Sequence, residues 1–150
     1  MMVKHYPNIS AIKSLVDQFV SKTLPEEAWT HFAHLTVGLW FVSNHGLEEA
    51  SALMPTYIAE YNKSLGKENT DFSGYHETIT QFWIWVLDCY WKEVQKEKSL
   101  LNAANDLANN SCGEPANFLK FYSRELIFSV EARKKFLKPD LRDLDFLLIG

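Results

Sequence analysis

The segment Ala28-Trp29-Thr30-His31-Phe32-Ala33-His34-Leu35-Thr36-Val37-Gly38-Leu39-Trp40-Phe41-Val42 decides the fold. Its only polar side chains are Thr30, His31, His34 and Thr36, so a helix built from it is apolar on every face. A second segment of the same kind, Phe82 to Trp91, carries Asp88 as its one strongly polar side chain. A helix that is apolar all round is buried all round. These two segments therefore predict the centre of an all-α bundle.

Outward from that centre the apolar spacing stays helical. Asn8 caps a first helix in which Ile9, Ile12, Leu15, Val16, Phe19 and Val20 recur at intervals of three and four. Thr23-Leu24-Pro25-Glu26 reads as the start of the second helix, with Thr23 as N-cap, Pro25 in the first turn and Glu26 closing a capping box. That helix spans about 25–45 and stops at Gly46; a third covers about 47–65, with a kink or break expected before Pro55. Lys67 to Ser73 is a polar loop, and Asp71 or Ser73 is placed to cap a fourth helix over about 74–98. Shorter helices follow over about 100–109, 116–128 and 130–136, and the tail after Lys138 is extended. Strand signals are weak, and the expectation is one all-α domain over residues 1–150 with two central apolar helices and extra short C-terminal ones.

Composition narrows the function classes. At 150 residues the chain suits one compact domain. A formal net charge of −4 argues against a nucleic-acid partner, which calls for a basic face. Five Trp, six Tyr and ten Phe exclude a disordered chain. Two cysteines, Cys89 and Cys112, are too few for a disulfide scaffold and read as reduced thiols. With no apolar run of signal-peptide or membrane-span length, the expectation is a cytoplasmic protein with no membrane partner.

The polar residues of the central helices need a purpose, because a buried polar group left unpaired costs about 1–3 kcal/mol. Glu27, His31 and His34 stand at i, i+4 and i+7, one face of about two turns. Short connections favour an up-down order, which makes the second and fourth helices parallel and brings His31, His34 and His76 to one end. Three imidazoles with an open position describe a zinc or iron site, with Glu77 or Glu27 as general base or outer ligand in the hydrolysis of a small anionic substrate. The competing reading is a metal-free pocket that holds an organic anion without chemistry. A third is a homodimer whose aromatics form the interface. Arg124, beside Tyr122 and among Phe118, Phe121 and Phe128, is the candidate anion clamp. Trp29 and Tyr75, near the histidine end, are candidate ligand-lining residues. A Cys89–His76 pair is set aside, since the two lie roughly 20 Å apart along one helix.

Three blocks, Trp29-Thr30-His31-Phe32-Ala33-His34-Leu35, Gly74-Tyr75-His76-Glu77-Thr78-Ile79-Thr80 and Tyr122-Ser123-Arg124-Glu125-Leu126-Ile127-Phe128-Ser129-Val130-Glu131-Ala132-Arg133, resemble those of a bacterial family of uncharacterised small all-helical proteins. The resemblance spans about residues 24–142. It implies that the blocks belong together and brings no activity with it.

Overall fold

The computed structural model describes residues 5–149, and among these every regular element is helical. Helix α1, Ile9–Val20, begins where Asn8 predicts: its side-chain oxygen accepts from the Ala11 amide at 3.0 Å. Ile12, Leu15, Val16 and Phe19 form its buried stripe.

The second helix starts later than its first capping signal. Pro25 is extended, Glu26–Ala28 makes a single 3₁₀ turn, and Trp29 (φ −86°, ψ 62°) leaves helical space. Helix α2, His31–Ser64, is capped instead by Thr30, whose hydroxyl accepts from the Ala33 amide at 3.1 Å. The cause is tertiary: buried Tyr61 donates its hydroxyl to the Leu24 carbonyl at 2.8 Å, pinning the chain just where a helix from Pro25 would begin. Glu27 therefore does not share a helical face with His31 and His34.

Helix α2 folds back on itself at Gly46, whose φ of +84° suits glycine alone. Its two limbs, residues 31–45 and 47–64, lie side by side, as the Phe41–Tyr57 ring pair at 5.6 Å shows. Pro55 does not break the second limb, contrary to the local rule; Gly46 is the non-helical position of α2. A proline lacks the N–H that would satisfy the carbonyl four residues back, here Ser51. That carbonyl accepts instead from Gln81 Nε2 of the next helix at 3.0 Å. Replacing Gln81 with leucine is expected to cost about 1–2 kcal/mol in urea unfolding, because it orphans the Ser51 carbonyl. In a Pro55→Ala background the same change is expected to cost little, since alanine restores the missing N–H. A coupling energy near zero in that double-mutant cycle refutes this account.

Helix α3, Glu77–Val94, is the third member of the central layer and is nearly as apolar as its sequence indicates, with Phe82, Ile84, Val86, Leu87 and Tyr90 buried. It packs chiefly on α2. Its cap is His76, rather than Asp71 or Ser73. Helix α4, Leu100–Leu107, closes one side, and the segment expected as one helix over 116–128 is broken. It runs as a 3₁₀ stretch, Pro115–Lys120, followed by the one-turn helix α5, Arg124–Ile127, capped by Ser123, while the short helix expected over 130–136 is present as α6, Val130–Lys134, capped by Ser129. Buried Thr78 ties this C-terminal cap to α3: its hydroxyl donates to the Ala132 carbonyl at 2.6 Å and accepts from the Leu137 amide at 3.2 Å. No helix of the described residues is long and apolar enough to cross a membrane.

Candidate functional site

A cleft runs between the two limbs of α2 and the first half of α3. Its inner part is a cavity of about 300 Å³ walled by Leu35, Gly38, Met54, Ile58, Ile84 and Leu87, with Trp83 and His31 at its sides. Gly38 makes the wall possible: a Cβ there would stand 2.5 Å from Leu87 Cδ1. Outward the cavity adjoins a mouth of about 600 Å³, edged by Trp29, Asn62, Lys67, Ser73, Tyr75 and His76. His34, Ile58, Ile79 and Thr80 line both compartments and so mark the passage between them.

The mouth is held by the loop after α2. Asn69 is its hub, accepting from Asn62 Nδ2 at 3.1 Å and from the Tyr75 amide at 2.9 Å while donating to the Ala59 carbonyl at 2.9 Å. Gly74 (φ +83°) lies against it, and a Cβ at that position would meet Asn69 Oδ1 and the Glu68 carbonyl at 2.7 Å.

All three histidines border this cleft, as the up-down topology predicts, but their nitrogens are engaged separately. His76 uses both: Nδ1 accepts from the Ile79 amide at 3.1 Å as the α3 cap, and Nε2–H donates to the buried Ile127 carbonyl at 2.6 Å. This assigns the proton to Nε2 and leaves no lone pair for a ligand. Burial, joined by the nearby Arg133 charge, lowers the His76 pKa against the opposing pull of the Ile127 bond. His31 donates Nε2–H to the Gly113 carbonyl at 2.8 Å and meets Trp83 edge-on at 5.2 Å. His34 donates Nδ1–H to the Thr30 carbonyl at 2.6 Å, under the indole of Trp29 at 3.8 Å. Burial brings the His34 pKa down to about 4, with a smaller push from His31, against the bond to Thr30.

Among the described residues no group of three or more His, Cys, Asp or Glu side chains is arranged to hold a metal ion. The donor chemistry agrees, because His76 has no nitrogen to offer and the expected carboxylates are elsewhere. Glu77, the first residue of α3, accepts a short hydrogen bond from the Tyr75 hydroxyl, whose pKa rises through burial and this carboxylate. Glu27 is exposed on its 3₁₀ turn.

Of the other expected site residues, Trp29 and Tyr75 do line the mouth. Tyr122 is buried, its hydroxyl donating to the Leu137 carbonyl at 2.7 Å, and serves the C-terminal cap. Arg124 is exposed in α5 and makes no ion pair among the described residues; it is not part of the cleft. The arginine that reaches this end of the fold is Arg133, donating to the Gly74 carbonyl at 2.9 Å and the Tyr75 carbonyl at 3.3 Å. Both arginines lie in one sequence block, and only the break between α5 and α6 separates their directions. Sequence reasoning passes over Ile58 and Ile79, because apolar residues on a buried helix carry no signal beyond core packing, whereas Thr80 is legible as sharing a helical face with His76. Set against family models, curated proteins and solved structures, the chain finds no match.

Proposed function

We propose that this protein is a metal-free receptor for a small organic molecule, held with its apolar body in the inner cavity and its polar end at the passage to the mouth. The observation that carries this reading is the adjacency of the two compartments, an apolar chamber and a more polar mouth that share His34, Ile58, Ile79 and Thr80 as lining. Such a cavity, mostly apolar with a few convergent polar groups, is the usual form of a small-molecule site. At about 300 Å³ the chamber lies at the small end of the range of small-molecule sites. The organic-anion version of this reading loses its clamp, since Arg124 lies elsewhere, and Lys67 at the mouth is already paired with Glu26.

Trp83 and Trp29 flank the two compartments and report occupancy directly. Titration with one- and two-ring aromatic compounds is expected to change tryptophan fluorescence saturably at one site per chain. Ile58→Phe, which fills the passage, is expected to weaken that binding at least tenfold while leaving the urea midpoint nearly unchanged. Prior dialysis against a chelator is expected to leave binding as it was. Linear, non-saturating quenching that Ile58→Phe does not alter would sink the proposal.

A further inference from the structure

The proposed cleft also specifies the head group of what it binds, an inference that rests on the receptor reading above. The His34 ring is oriented by one bond, Nδ1–H to the Thr30 carbonyl at 2.6 Å, which places its proton on Nδ1. Nε2 is then a lone pair, and among the described residues it has no hydrogen-bond partner, although His34 lines the passage between chamber and mouth. Several of its polar neighbours there are already engaged. The Thr80 hydroxyl lies beside that of Tyr75, which donates to Glu77; Asn62 is bonded to Asn69, and Lys67 to Glu26.

We infer that the ligand presents an uncharged hydrogen-bond donor, a hydroxyl or an N–H, to His34 Nε2, and that ligands ending in a carboxylate or in an ether are rejected. A carboxylate offers only lone pairs to a lone pair, and an ether likewise brings no donor to Nε2. An ammonium group donates, but lodging a full charge against this apolar chamber carries a desolvation cost that a single neutral imidazole does not repay. A neutral alcohol, phenol or indole-type N–H remains as the matching chemistry. The arrangement makes His34 a selector: a site built to pair a donor discriminates against the analogue that lacks it, because its own polar atom is then left bare.

Four probes of one shape separate the possibilities: naphthalene, 2-naphthol, 2-methoxynaphthalene and 2-naphthoate, titrated calorimetrically into the full chain at pH 7.5. The inference expects 2-naphthol to bind about tenfold more tightly than 2-methoxynaphthalene, with 2-naphthoate weakest. In His34→Phe, which keeps a ring under Trp29 but no acceptor, the naphthol and methoxy compounds are expected to bind alike. Equal affinities of these two for the wild-type protein overturn the inference whether or not the variant folds. If naphthalene and all its derivatives bind saturably without preference, the receptor reading stands and the donor rule fails. If none binds, both fall together.

Discussion

Replacing His76 with alanine is expected to lower the stability by about 2–4 kcal/mol. Two bonds vanish at once. Losing a helix N-cap costs about 1 kcal/mol, and leaving the buried Ile127 carbonyl without a donor costs about 1–3 kcal/mol. For a chain of this size that corresponds to a fall of about 5–12 °C in Tm. His76→Asn discriminates the two contributions: asparagine caps well, yet is too short to reach Ile127, so it is expected to recover about half of the loss. Urea unfolding with an unchanged m-value is the measurement. Were His76→Ala as stable as the wild type, the imidazole would not be holding α3 to α5, and its nitrogens would be free for other chemistry.

Acidification provides the second large effect. A histidine whose folded pKa is depressed is neutral in the native state and protonated in the unfolded chain, so below the unfolded pKa the unfolded state binds the extra proton. Stability is therefore fully present above about pH 6.5 and is lost as the pH falls toward the folded pKa, which for His34 is about 4. His34 alone accounts for roughly 2–3 kcal/mol across that window, and His76 adds to it in the same direction. Between pH 6.5 and 5, above the range in which most carboxylates titrate, the unfolding free energy is expected to fall with an uptake of between one and two protons on unfolding. His34→Phe is expected to reduce that uptake by about one proton, read from urea midpoints at a series of pH values. A slope that is the same in wild type and variant would mean that His34 takes up its proton in the folded protein as it does in the unfolded chain, so that burial does not hold it neutral.

These expectations share an origin that bears on how the fold is encoded. Helix α1 and its Asn8 cap, the turn at Gly46 and the burial of the two apolar segments are all readable as written, because each depends on spacing within a few residues. Where two local signals competed, distant residues chose between them. The spacing points to Thr23 as cap, and the Tyr61–Leu24 bond, 37 residues apart, holds the chain there while the helix starts at Thr30. Pro55 reads locally as a breaker, and a glutamine 30 residues away from the carbonyl it orphans keeps the helix intact.

The histidines divide along the same line. Alternation of helix direction, legible from connection lengths, was enough to bring His31, His34 and His76 to one cleft. What each ring does there was decided by carbonyls at Gly113, Thr30 and Ile127, two of them 82 and 51 residues from the imidazole they engage. Periodicity and capping are short-range properties of the chain, so the linear order of residues determined which segments are helical and which faces they bury. A hydrogen bond, by contrast, is set by tenths of an ångström between groups that only packing makes neighbours. The tertiary structure therefore decided that His76 ties its capped helix to Ile127 and that His31 is a strut, whereas the Thr30 carbonyl one turn away sets the His34 ring and packing only places it at the passage.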